Sequence, residues 1–231
     1  MIILNFRNPF KGLTKFEWTL WLFSIAVIIV AFVISNGQSW LNCIASLIGV
    51  TALIFVSKGD VFGQVLTVVF AVFYGIISFK FRYYGEMITY VGMTAPIAMM
   101  SVVSWLRHPF EDSSEVEVQH LSKEQIRRIV FLTIVVTFVF YFILKHFNTA
   151  NLVVSTISIA TSFLASYLTF LRSPYYAVAY SANDVVLIIL WLFAAISDMS
   201  YVPMIFCFVM FLFNDIYGFF NWKRIHKRQT Q

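Results

Sequence analysis

Eight stretches of this chain are each long and apolar enough to cross a lipid bilayer, and that fact removes most folds from consideration. A spanning helix needs about 20 mostly apolar residues. The windows that qualify are residues 18–35, 40–57, 61–79, 84–105, 127–146, 151–171, 175–196 and 201–222. Turn chemistry separates them, as in SNGQS at 35–39, SKGD at 57–60, FKFR at 79–82, HFNTAN at 146–151, RSP at 172–174 and SDMS at 197–200. Any one window could be a buried helix of a soluble protein, but eight of them in 231 residues leave no soluble scaffold to bury them. Only 12% of the chain is charged, against about 25% in soluble domains. A soluble enzyme, a disordered chain and a nucleic-acid module are thereby excluded. The expected fold is an all-α integral membrane protein with eight transmembrane helices in a lipid bilayer. Cys43 and Cys207 fall in apolar runs and offer neither a disulfide framework nor metal spacing.

The few charges orient the chain. With eight spans, both termini and the loops after the second, fourth and sixth spans share one side. That side carries 13 of the 16 Lys and Arg residues, and the other holds Lys80, Arg82 and Lys145. Basic residues stay in the cytoplasm, so both termini are expected there. Were the first window not a span, Arg7, Lys11 and Lys15 would change sides and the split would fall to 10 against 6. The asymmetry explains the net charge of +5 without an acidic partner. In the one long hydrophilic stretch, 107–126, the acidic cluster Glu111, Asp112, Glu115 and Glu117 is expected to be a solvated loop. Ser122 and Gln125 then have the spacing of a capping box that starts the next helix.

The spans repeat. Spans 2–4 and spans 6–8 share a layout: a helix ending in a basic turn (Ser57-Lys58-Gly59, Leu171-Arg172-Ser173), a second ending before a tyrosine (Tyr83-Tyr84, Tyr201), and a third ending in Trp and a basic residue (Trp105-Leu106-Arg107, Trp222-Lys223-Arg224). The offset is 114 residues at the first landmark and 117 at the last. Span 5 is the odd linker that lets two three-helix units keep the same orientation. The expected organisation is an N-terminal segment with an extra span (1–39), a first repeat (40–106), a loop and linker helix (107–150), a second repeat (151–222) and a basic tail (223–231). Parallel repeats are a transporter plan, with substrate held near the midplane between the halves.

Ionisable residues inside spans are costly, at about 2.5–3.5 kcal/mol on insertion scales, and mark function. Asp184 in span 7 and Asp215 in span 8 sit well inside, each preceded by an asparagine, Asn183 and Asn214. At about 1.5 Å per residue both lie roughly 10–14 Å from the side of the termini. Trp191 shares a face with Asp184, and Tyr217, Gly218 and Asn221 share a stripe with Asn214. Gln64, three residues into span 3, is a further candidate near the mouth. No Lys or Arg lies deep in a span, so the interior suits a neutral or cationic solute with hydroxyls better than a phosphorylated one. No HExxH, GxSxG, P-loop or metal cluster is present, so neither an enzyme nor a cofactor is expected.

The last helix, FVMFLFNDIYGFFNWKR, the helix AYSANDVVLIILWLF before it, and the layout of three spans, one linker and three spans resemble the PnuC family of bacterial nicotinamide riboside transporters over about 40–225. The resemblance implies a SWEET-like vitamin carrier of the inner membrane that works by facilitated diffusion, forms homotrimers and is coupled to a cytoplasmic riboside kinase. It implies a substrate with a pyridinium cation and a ribose but no phosphate. Asn183, Asn214 and Tyr217 would bind ribose or amide groups, Trp191 would stack on the ring, and Asp184 and Asp215 would set the local potential. Two alternatives stand beside it. One is a proton-coupled carrier of a related cationic aromatic vitamin such as thiamine. The other is a membrane receptor or scaffold acting through loop 107–126.

Overall fold

A computed structural model describes residues 8–35, 40–80, 83–111 and 113–231. Arg7, residues 36–39 of the first turn, residues 81–82 with Arg82, and Asp112 enter the expectations above but lie outside the described residues. The helices are α1 (Lys15–Ile34), α2 (Trp40–Ser57), α3 (Val61–Lys80), α4 (Tyr84–Thr89), α5 (Ala95–Arg107), α6 (Lys123–His146), α7 (Leu152–Phe170), α8 (Tyr176–Ser197) and α9 (Val202–Gln229). A π-helical turn, Tyr90–Thr94, joins α4 to α5 into one span, which makes eight spans. Pro96 accounts for that wide turn: it has no N–H for the carbonyl four residues back, and its ring crowds that carbonyl.

Local chemistry starts and stops these helices. Thr14 and Glu17 form a capping box on α1, and Ser122 and Gln125 form the expected one on α6. α2 ends at Gly59 (φ 69°), whose N–H donates to the Val56 carbonyl at 2.9 Å, followed by Asp60 N–H to the Phe55 carbonyl at 3.0 Å. α7 ends the same way at Arg172 (φ 57°), with its N–H on the Thr169 carbonyl at 2.9 Å and Ser173 N–H on the Leu168 carbonyl at 3.0 Å. Arginine takes the left-handed turn at a cost of about 1–2 kcal/mol that glycine avoids.

The packing has the symmetry of a parallel repeat. Within the units, α2 packs on α3 and α3 on α5, just as α7 packs on α8 and α8 on α9. Between the units, α2 packs on α9 and α5 on α7, so the first helix of each meets the third of the other. Two tryptophans repeat this pairing at atomic scale. The indole N–H of Trp222 on α9 donates to the Val56 carbonyl of α2 at 2.8 Å, and that of Trp105 on α5 donates to the Thr169 carbonyl of α7 at 3.0 Å. Their rings meet with centroids 5.5 Å apart. Lipid supplies no hydrophobic drive between helices, so such buried hydrogen bonds and close packing hold the bundle.

α1 lies across the α2–α9 seam. Trp21 Nε1 donates to Thr51 Oγ1 of α2 at 3.0 Å, and Asn214 Nδ2 of α9 donates to Ser24 Oγ of α1 at 3.1 Å. Glu17 pairs with Lys58 at 3.2 Å and accepts from the Tyr217 hydroxyl at 2.9 Å. α6 packs mainly on α7, and only 11% of its apolar window is buried, which leaves most of that surface for lipid or a second chain.

Two expectations are corrected. The stretch after α5 is not simply a solvated loop: Val116 and Val118 are buried, Val116 N–H donates to the Gly59 carbonyl at 2.9 Å, and Glu115 pairs with Arg228 and Gln229. Two hydrophobic residues spaced by two let the segment fold back over the end of the bundle. The last helix also does not stop at Trp222 but runs to Gln229, because its basic residues are good helix formers that extend into water.

Candidate functional site

Between the two three-helix units lies a narrow cavity of about 50 Å³. Its polar lining is Gln64 and Thr67 of α3, Tyr90 and Thr94 of the π-helical turn, and Tyr180, Asn183 and Asp184 of α8 with Asp215 of α9. Phe70 and Phe211 supply apolar walls. Tyr90 and Thr94, at the two ends of the π-helical turn and four residues apart, share the face that meets the cavity.

Asp184 and Asp215 are 2% and 3% exposed and line the cavity from neighbouring helices, and Asp184 Oδ2 has no hydrogen-bond partner among the described residues. Two buried carboxyl groups in one cavity resist ionising together, so the pair can hold one proton. Neither aspartate is in an ion pair; among the described residues the salt bridges are Lys58–Glu17, Arg128–Glu124 and Arg228–Glu115. Asn183 Oδ1 accepts from Thr161 Oγ1 at 2.9 Å and from Ser162 Oγ at 2.8 Å, which fixes the orientation of its amide. The Tyr180 hydroxyl meets Ser166 Oγ at 3.2 Å. Serines and threonines on one face of α7 thus hold the α8 polar residues in place.

The cavity brings together four of the seven residues expected from the sequence: Gln64, Asn183, Asp184 and Asp215. The other three lie elsewhere. Asn214 is one residue, and so about 100°, from Asp215 on the helix, which turns it to Ser24 of α1. Tyr217 is turned toward α1 in the same way and donates to Glu17. Trp191 lies two turns from Asp184, toward the side opposite the termini. There it is fully buried, with its indole N–H on the Tyr74 hydroxyl at 3.0 Å and its ring 5.2 Å from Tyr83 and 5.7 Å from Tyr201. At Gly218, on the stripe of Asn214, a Cβ would lie 2.9 Å from the Tyr176 hydroxyl, so the small residue lets α8 and α9 approach.

Sequence reasoning missed Tyr90, Thr94 and Tyr180. Tyr180 had a signal, four residues before Asp184 on one helix face. Tyr90 and Thr94 are also four residues apart, but neither is charged, so nothing marked their face as the one that meets the second unit.

The lining can bind a polar or positively charged solute flanked by aromatic walls. It contains no Lys or Arg, so it offers no fixed charge to a phosphate.

A family model described as Nicotinamide mononucleotide transporter matches residues 39–224. The nicotinamide riboside transporter PnuC of Neisseria mucosa is 26% identical over 231 residues, covering 97% of this chain and 87% of that protein. The nicotinamide riboside transporter PnuC of Haemophilus influenzae is 21% identical over 221 residues, 94% of each chain. A crystal structure of the vitamin B3 transporter PnuC superposes with a TM-score of 0.83 at 26% identity, covering 94% of each chain. These matches bear out the resemblance carried by the last two helices. Those proteins are transporters, not enzymes.

Proposed function

Because this chain belongs to the nicotinamide mononucleotide transporter family, we propose that it carries nicotinamide riboside across the bacterial inner membrane by facilitated diffusion. The observation that carries the reading is the buried Asp184–Asp215 pair, with Asn183 beside it, in a cavity without a basic side chain. Two acids without counter-charge favour a cation. Hydroxyl and amide groups suit a ribose and a carboxamide, and Phe70, Tyr90 and Phe211 suit a flat ring. The same lining selects the riboside over the mononucleotide of the family description, since a phosphate beside two carboxyl groups meets only like charge.

Transport follows from the cavity's size. Sites that enclose small organic ligands run to about 300–1,000 Å³, so a nucleoside enters this cavity of about 50 Å³ only when its walls part. Alternating access by motion of one three-helix unit against the other does this. In this reading Gln64, Asn183, Asp184 and Asp215 contact the substrate, while Trp191 meets it on the way in. Asn214 and Tyr217 act through α1. The units correspond to residues 40–106 and 151–222, with both termini and the basic tail 223–231 in the cytoplasm. The trimer and the cytoplasmic riboside kinase belong to the same proposal, and the exposed α6 is a suitable trimer surface.

The test is binding and uptake with purified protein. Nicotinamide riboside should bind more tightly than the mononucleotide, and proteoliposomes should take it up without ATP, sodium or a proton gradient. Equal or tighter binding of the mononucleotide overturns the charge argument. The proton that Asp184 and Asp215 can hold favours one second reading, a proton-coupled carrier of a cationic vitamin such as thiamine. Asp184→Asn and Asp215→Asn separate the two. A coupled carrier loses accumulation but keeps exchange, whereas a uniporter changes only in affinity.

A further inference from the structure

A third acid lies inside the bundle, away from the central cavity. Glu86 is the third residue of α4, at the end of the bundle opposite the termini, and it is 0% exposed. Neither carboxyl oxygen has a hydrogen-bond partner within 3.5 Å, and Glu86 appears in none of the three salt bridges among the described residues. Ser158 of α7 stands beside the carboxyl, yet its hydroxyl also closes no hydrogen bond. A buried carboxyl held for structure alone would have its partners, because an unsatisfied one is expensive.

Its surroundings are aromatic. Tyr83 precedes Glu86 by three residues and Tyr90 follows it by four, so both share its helix face. Tyr74 and Tyr90 have ring centroids 4.2 Å apart, and Tyr83 packs on Trp191, which packs on Tyr201. A carboxyl group beside ring faces and edges is the chemistry that receives an organic cation. Tyr90 connects the two places: it stands four residues after Glu86 and lines the central cavity with Asn183. At about 1.5 Å per residue, Glu86 and Asp184 are separated by roughly 15 Å along the bundle, so one nucleoside does not contact both.

We infer that Glu86, with Tyr83 and Trp191, forms a second binding site for the positively charged ring of the substrate, occupied before the central cavity on the way in. The inference rests on the nicotinamide riboside reading and deepens it. Glu86 recognises charge, so it discriminates between ring oxidation states. Nicotinamide riboside carries a pyridinium cation, whereas dihydronicotinamide riboside has the same sugar and amide with an uncharged ring.

The experiment is initial uptake of both ribosides into proteoliposomes by wild type and Glu86→Gln, compared as KM ratios. Glu86→Gln should raise KM for the cationic riboside about fivefold, the upper size of one ion contact, and leave KM for the neutral one unchanged. Tyr83→Leu, which removes a ring and keeps the carboxyl, should shift the ratio in the same direction and serves if Glu86→Gln fails to assemble. Equal losses for both ribosides, or no loss, overturn the second site. Wild type that neither binds nor transports nicotinamide riboside overturns the functional reading, an outcome distinct from a flat Glu86 ratio in an active carrier.

Discussion

Removing the Trp222 indole N–H tests the paired-repeat architecture directly. In Trp222→Phe the Val56 carbonyl loses a bond of 2.8 Å but keeps the Gly59 N–H at 2.9 Å. The carbonyl is therefore not orphaned, and the bond itself accounts for about 1 kcal/mol. The smaller ring also gives up contact with Trp105, at 5.5 Å, and Tyr176, at 4.9 Å, worth a further 1–2 kcal/mol or about half of a Trp truncation to Ala. The total of about 2–3 kcal/mol lowers Tm by roughly 4–12 °C for a chain of this size. Trp105 is the counterpart, bonded to Thr169, whose carbonyl likewise keeps the Arg172 N–H. Trp105→Phe should therefore cost a similar amount, and the double variant should cost less than the sum because the rings touch. The assay is thermal unfolding of all four proteins in one detergent, with riboside binding as a control expected to hold. If one variant is neutral while the other pays in full, the two tryptophans are not equivalent and the symmetry argument fails.

Glu17→Gln removes the ion pair with Lys58 while leaving an oxygen for Tyr217. It should cost about 1–2 kcal/mol, seen as an earlier unfolding transition; no change would mean that the Glu17 charge does not help to hold α1. Gly218→Ala puts a Cβ 2.9 Å from the Tyr176 hydroxyl and should destabilise by about 1–3 kcal/mol, whereas a neutral result would show that Tyr176 can step aside. Burial raises the Asp60 carboxyl above its ordinary value, and the Phe62 N–H only partly offsets this. A raised carboxyl binds more protons folded than unfolded, so its contribution to stability falls as pH rises through that interval and is level above it. Asp60→Asn keeps the acceptor for Phe62 and should remove this dependence, matching or exceeding wild type at pH 7 in a melting series; a melt still sloping through the same interval would place the titration elsewhere.

The eight spans were visible in the sequence because apolar length is a local property and lipid enforces it. The repeat was visible through its punctuation, since turns such as Ser57-Lys58-Gly59 and Leu171-Arg172-Ser173 depend on a few residues. The site was visible only by depth. Asp184 and Asp215 stood out as charges in apolar runs, but depth does not give azimuth, and Asn214 and Tyr217 turn to α1 for that reason. Glu86 was passed over because it sits at the edge of its window, where a charge is usually solvated. That it is nonetheless buried, near a Tyr83 that packs on Trp191, is a matter of tertiary packing. The π-helical turn at Tyr90 likewise has no marker beyond Pro96, which sequence patterning treats only as a helix break.

The straps of α1 have a mechanical meaning. They tie α2 and α9 along one edge, through Trp21–Thr51, Ser24–Asn214, Glu17–Lys58 and Glu17–Tyr217. The opposite edge, where α5 meets α7, is pinned near the termini by Trp105–Thr169 and Ser104–Phe170, and farther out is backed by α6 through apolar side chains such as Leu132, Val136 and Phe140. Under the proposed alternating access, two bodies fastened in this way part like a door hung on one jamb, and the gap is widest at the far end of the α5–α7 edge. Glu86 and Ser158 sit on either side of that far end, so the first opening of the leaf exposes the unpartnered carboxyl.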